Sequence, residues 1–141
     1  MKGFFQKFIS LYRPITSKIN DLLSENNISY SLWQVIFYLK QNGPSSLVDI
    51  SKYYNIEKPS VTRRVQSLEE KMIITEVVSK NKREKIVKLT ETGEELYKIC
   101  REKITCLEYE VMKGIPEEKQ QILFEVLPQI LENIKNEKEN S

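Results

Sequence analysis

Hydrophobic and polar positions follow a helical rhythm along most of this chain. Phe4, Phe8, Leu11, Ile15, Ile19 and Leu22 recur at steps of three and four, which predicts a first helix ending near Ser24 and kinked or restarted at Pro14. Over residues 30–41 the pattern closes up: Leu32, Trp33, Val35, Ile36, Phe37 and Leu39 are apolar nearly all round the axis, as in a central buried helix. Ser29 caps that segment and Asn42-Gly43-Pro44 stops it. Ser46, with Asp49 three residues on, opens a short third helix to about residue 53. A turn at residues 54–57 leads into residues 57–70, the stretch around which the rest is organised. There Val61, Val65, Leu68 and Met72 fall on one narrow stripe that requires a core beneath it, and Pro59 sits in the first turn, where its missing N–H costs nothing.

After Met72 the period changes. Residues 73–79 and 85–89 are rich in β-branched side chains and flank a charged loop at residues 80–84, which predicts a hairpin with a basic tip. Short helix, tight turn, basic helix and hairpin together read as a winged helix-turn-helix. Either Thr90 or Thr92, the latter with Glu95, caps the next helix, whose inner stripe is Leu96, Ile99, Cys100, Ile104, Leu107 and Val111. Running to about residue 113, it spans some ~34 Å, too long for a winged helix alone. Gly114 breaks it and Pro116 starts a last helix, bent at Pro128, with Leu123, Leu127, Ile130, Leu131 and Ile134 on its stripe and a charged tail at residues 135–141. The fold class is therefore mainly α with a small β-hairpin wing, in one domain over residues 1–141 whose winged helix-turn-helix part is residues 29–89.

Composition narrows the chemistry. With 141 residues and 40% hydrophobic content the chain can bury one real core. The longest uncharged run, residues 26–39, falls well short of the roughly 20 residues that cross a bilayer, so no membrane is expected as a partner. Lys7 and Arg13 interrupt the apolar N-terminal stretch, which argues against an export signal and for the cytoplasm. There is no His, and the two cysteines, Cys100 and Cys106, lie about 120° apart on a helix, too far round for an easy mutual disulfide. They read as plain helix residues or, in an electropositive setting, as a redox sensor. No catalytic group, cofactor or metal site is expected, since phosphate-cradling Gly loops, nucleophile elbows and metal-ligand spacings are all missing.

Charge then points to a partner. The net charge is only +2, yet residues 57–88 hold nine Lys or Arg against five Glu, net +4, and the remainder 13 against 15, net −2. A basic concentration on the helix that follows the turn is the footprint of a nucleic-acid contact. The candidate DNA-contacting residues are Lys58, Ser60, Thr62, Arg63, Arg64, Gln66 and Ser67 on that helix and Lys80, Lys82, Arg83 and Lys85 on the wing. Short hydroxyls, amides and guanidinium forks suit base edges, and lysines suit phosphates. Around the helix axis Arg63 lies about 140° from Val65, whereas Arg64 lies only about 60° from Val61 and so nearer the protein's own surface. An ordinary amphipathic surface helix would show the same polar face, and a winged helix that binds another regulator rather than DNA is the alternative reading.

Six short stretches occur in the order and spacing of one known family: Ile28-Ser29-Tyr30-Ser31-Leu32-Trp33, Asn42-Gly43-Pro44, Lys58-Pro59-Ser60-Val61-Thr62-Arg63, Leu68-Glu69-Glu70-Lys71, Lys82-Arg83 and Leu89-Thr90-Glu91-Thr92-Gly93. Over nearly its whole length the chain resembles the multiple-antibiotic-resistance-regulator (MarR) family. The resemblance implies a homodimeric transcriptional regulator, a repressor in the first instance or else an activator, on double-stranded DNA. It also implies a dimer built from the first and last two helices, residues 1–28 and 90–141, and a DNA affinity adjusted by a small-molecule effector or by thiol oxidation. Apolar stripes on helices that project beyond a winged-helix core fit a dimer, the alternative being a monomer in which they fold back. Tyr12, Arg13, Tyr30, Trp33 and Tyr38 fall where the family's ligands can bind, although core and interface roles suit them better.

Three positions depart from the family pattern. Leu32 replaces a frequent Gln, which removes a reciprocal capping bond to Ser29. Met72 replaces a frequent Gly where a left-handed residue is favoured, with strain of ~1 kcal/mol expected. Asn81 replaces an Asp two residues before Arg83 and keeps an acceptor but no charge.

Overall fold

In a computed structural model, which describes residues 1–78 and 83–140, the elements run α1 (Phe4–Ser24), α2 (Tyr30–Asn42), β1 (Ser45–Ser46), α3 (Leu47–Tyr54), α4 (Lys58–Glu70), β2 (Ile74–Val77), β3 (Ile86–Leu89), α5 (Glu91–Val111) and α6 (Glu117–Asn140). The chain divides into a larger unit, Met1–Ile104, and a smaller one, Thr105–Ser141, with the division inside α5.

The larger unit is built on α2. Trp33, Val35, Ile36 and Leu39 are buried, and the core closes over them with Leu23 of α1, Leu47 and Ile50 of α3, Val61, Val65 and Leu68 of α4, Ile74 and Val87 of the sheet, and Cys100 and Ile104 of α5. Burial of each large aliphatic contributes about 1.5–3 kcal/mol. The ends of α2 are set locally. The Ser29 hydroxyl accepts from the Leu32 N–H at 3.3 Å, and Asn20 of α1 accepts from the Tyr30 N–H at 2.7 Å, so one half of the capping box survives Leu32 and a second helix satisfies another free donor. Gly43, at φ 74°, ends the helix in a conformation that suits glycine.

The sheet is antiparallel with order β1-β3-β2, so the wing has a third strand that the hairpin reading lacked. Ser45 and Ser46 pair with Val87 and Ile86, and Ser46 also accepts from the Asp49 N–H at 3.1 Å to cap α3. Thr90 caps α5, accepting from the Gly93 N–H at 3.0 Å. Gly93 is required for a different reason: a Cβ there would run into the carbonyl of Ile73.

Two expectations about helix ends need correction. Met72 is not part of the buried stripe; it lies beyond α4 at φ 61° and is 73% exposed. It fills the left-handed position of a Schellman turn, with the Ile73 N–H on the Leu68 carbonyl at 2.9 Å and the Met72 N–H on that of Glu69 at 3.0 Å. The charged segment after Ile134 is not a tail, since α6 continues through Asn140. Both Pro14 and Pro128 lie inside continuous helices.

Candidate nucleic-acid interface

The α3–turn–α4 pair forms because the turn has the right residue in its tightest place. Asn55 caps α3 in the left-handed conformation at φ 53°, and the Ser51 hydroxyl donates to the Ile56 carbonyl at 2.6 Å. Behind α4, Val61, Val65 and Leu68 are fully buried, which fixes its rotation about its axis. Its outer face then follows from the helical period. Lys58, Arg63 and Gln66 are exposed, and Ser60, Thr62 and Ser67 are half-buried. Within that face the Arg63 Nη2 donates to the Ser60 hydroxyl at 3.3 Å, and the Thr62 hydroxyl donates to the Lys58 carbonyl at 3.1 Å. The sequence-predicted residues 58–67 are therefore brought together on one helix, with Arg63 at its solvent crest.

The two flanks of α4 are tied to the protein. Arg64 donates from Nη1 to Gln34 Oε1 of α2 at 3.0 Å, in line with its position nearer the protein surface. Glu69 accepts from Lys85, at the base of β3, in a half-buried ion pair of 2.7 Å. Lys85 is thus engaged with α4 itself, which the sequence reading did not foresee. Arg83 is exposed, while Lys80, Lys82 and Asn81 lie outside the described residues. Gln34 also escaped the sequence reading, although a lone amide among buried neighbours on an apolar helix was a usable signal.

Beside Gln34 stands an aromatic group. Tyr38, Tyr53 and Tyr54 have ring centroids 4.8–6.3 Å apart, and the Tyr54 hydroxyl donates to the Gln34 carbonyl at 2.7 Å. Burial, with a smaller contribution from the Tyr53 phenol, pushes the Tyr54 hydroxyl well above the usual tyrosine range. Trp33 is buried and stacks on Tyr97 of α5 at 5.4 Å. A shallow cavity of about 360 Å³ is lined by Lys40, Glu91, Glu94, Glu95, Tyr97 and Lys98 and shares no residue with α3, α4 or the wing. Cys100 is buried, which pushes its thiol up, and Cys106 is exposed; both are free. Among the described residues no group of His, Cys, Asp or Glu could hold a metal ion, and no helix is long and apolar enough to cross a membrane.

Residues 28–93 match the model of a winged helix DNA-binding domain. An HTH-type transcriptional regulator of Staphylococcus aureus is 32% identical over 140 residues, 97% of this chain and 96% of its own length. The solved structure of S. aureus MarR in complex with salicylate and kanamycin superposes with a TM-score of 0.87 at 31% identity, over 96% of this chain and 92% of that one. The chain belongs to the MarR family. It is a DNA-binding transcriptional regulator. Further relatives extend the similarity: the HTH-type transcriptional regulator YwoH of Bacillus subtilis is 33% identical over 106 residues, 75% of this chain and 77% of its own. MarR from E. coli shares the fold at a TM-score of 0.80 and 19% identity, over 93% of this chain and 98% of that one.

Proposed function

We propose that this regulator is a cytoplasmic homodimeric repressor that places α4 in the major groove of a pseudo-palindromic operator, with half-sites about one helical turn, ~10 bp, apart. The observation that carries the reading is the outer face of α4. Lys58, Ser60, Thr62, Arg63 and Gln66 offer cationic and hydrogen-bonding groups on a helix whose back is anchored in the core, and Ser67 and Arg64 flank it; Lys80, Lys82 and Arg83 are the wing candidates by sequence. Crest residues read bases, and flanking cations engage phosphates or the adjacent minor groove. Lys85 acts through Glu69, setting the wing against the recognition helix.

Apolar surface supports the dimer. Phe5, Phe8, Ile9, Leu11, Tyr12 and Ile15 stand exposed on α1, and α6, taken by itself, exposes Leu123, Phe124, Leu127, Leu131 and Ile134; exposed apolar side chains gathered on one helix are what an interface covers. Residues 1–28 and 90–141 are thus the dimerising parts of a single domain. The S. aureus relative is in complex with salicylate and kanamycin; the effector class taken for this chain is the first of these, a small aromatic acid, which would change its DNA affinity. Chemistry on a substrate is not part of this reading.

Selection of bound duplexes from random DNA, followed by gel-shift titration and light scattering, tests the proposal. A two-fold-related consensus bound by two chains is the expected result. A monomer at micromolar concentration, or binding that shows no preference over random sequence, would overturn it, and affinity unmoved by salicylate would remove that effector class.

A further inference from the structure

Gln34 is half-buried in the middle of α2, between Trp33 and Val35, which are both buried. Both its oxygens are in use. The main-chain carbonyl accepts from the Tyr54 hydroxyl at 2.7 Å, and side-chain Oε1 accepts from Arg64 Nη1 at 3.0 Å. One residue of α2 therefore fastens the end of α3 and the middle of α4. Helix α4 is already held by Val61, Val65 and Leu68, so the side-chain bond adds little to the placing of its backbone. What it orders is a long cationic side chain, which otherwise loses rotamer freedom only when it meets a ligand.

The chemistry of the acceptor is informative. A carboxylate at position 34 would hold the guanidinium more strongly and cancel its charge; an amide holds it and leaves the charge uncompensated. Among the described residues Arg64 makes no ion pair. Its place on the helix decides what such a charge would meet. Arg63 stands at the crest of α4, whereas Arg64 stands on the flank, and the flank of a helix lying in the major groove faces the groove wall, which is sugar and phosphate.

We propose that Gln34 is a positioning residue for DNA binding: it holds Arg64 as a pre-ordered, fully charged donor to a backbone phosphate beside the groove that α4 enters. This rests on the reading of α4 as the recognition helix.

The decisive variant is Gln34→Glu, because it keeps the tie to α4 and removes the net charge. The full-length dimer is titrated with a random-sequence duplex and with a duplex enriched from random DNA, each over a range of salt, and its urea midpoint is measured alongside. The expected result is a midpoint equal to or above wild type with weaker binding to both duplexes. Each lost phosphate contact lowers the salt slope by about 0.9, counted in two subunits, so raising salt from 50 to 200 mM weakens the variant about 12-fold less than wild type. A residue that merely braces α2 against α4 would leave the slope unchanged in Gln34→Glu, and that result overturns the proposal. Gln34→Leu, which removes the acceptor, should weaken both duplexes to a similar extent, and the effect should vanish in an Arg64→Ala background; a loss that persists there also overturns it. Wild-type protein that binds neither duplex overturns the reading of α4 and this inference together, whereas wild-type binding with an unaltered Gln34→Glu slope removes this inference alone.

Discussion

Met72 carries a testable strain. A non-glycine residue at φ 61° pushes its Cβ toward the backbone, at a cost of about 1–2 kcal/mol relative to glycine. Glycine at the same position gives back about 0.4–1 kcal/mol, because the unfolded chain gains freedom that folding must remove. The side chain contributes little in return, since it is 73% exposed. Comparing Met72→Gly with Met72→Ala cancels the lost side-chain contacts and isolates the backbone. The glycine variant should be the more stable by about 0.5–1 kcal/mol, the reverse of the order inside a helix, where alanine leads by about 1 kcal/mol. With a urea dependence of about 2 kcal/mol/M, that difference moves the unfolding midpoint by about 0.25–0.5 M. Midpoints are compared at one protein concentration, because the apparent stability of the proposed dimer depends on it. If alanine equals or exceeds glycine, the left-handed strain at Met72 is not there.

Three further outcomes are expected. Arg63→Lys keeps the charge but loses the planar fork, so specific operator affinity should fall by about 1–3 kcal/mol per half-site while affinity for random duplex barely changes; a preserved ratio between the two would remove Arg63 as a base reader. Arg83→Ala should weaken binding to all sequences and flatten the salt slope by about one unit per lost phosphate contact per subunit, and an unchanged slope would take the wing tip out of the interface. Gly93→Ala forces a methyl against the Ile73 carbonyl, which also accepts from the Thr90 N–H and hydroxyl, so it should destabilise by about 1–3 kcal/mol or more, and a variant with the wild-type urea midpoint would contradict that packing.

Much of the fold was legible because its driving force is periodic. The stripes of Leu32 to Leu39 and Val61 to Leu68 repeat often enough to fix both the helix and its buried face; that of Phe4 to Leu22 fixes the helix, but Phe8, Leu11 and Ile15 stand exposed and the buried residue of α1 is Leu23. Elements without a repeat escaped. β1 is two serines long, and nothing in Ser45-Ser46 announces a strand; its pairing exists because β3 arrives beside it from forty residues further along the chain. Met72 satisfied the helical period arithmetically, but the chain leaves the helix one residue earlier, and periodicity does not see a Schellman turn. The end of α6 was missed for the opposite reason: residues 135–140 carry no apolar stripe, yet Lys and Glu are good helix formers and prolong a helix already nucleated. At the candidate site the residue types were legible and their partners were not. Whether Lys85 or Arg64 reaches DNA depends on Glu69 and Gln34, which lie 16 and 30 residues away in sequence.

Those two partners give α4 a division of labour that its sequence alone conceals. The buried stripe sets the rotation of the helix, Gln34 holds one flank through Arg64, and Glu69 holds the other through Lys85. What remains for the groove is a narrow crest of Lys58, Thr62, Arg63 and Gln66. Because Glu69 neutralises Lys85, that lysine adds little to the basic face of α4. Discrimination on the proposed operator then depends more on the hydrogen-bonding geometry of a few crest side chains than on the summed charge of residues 57–88. Groups held on both flanks before binding lose less freedom on binding, so a small crest can discriminate without a large interface. Loosening the Glu69–Lys85 flank should therefore blur specificity even where no crest residue has changed, whereas loosening the Gln34–Arg64 flank weakens specific and random duplexes alike.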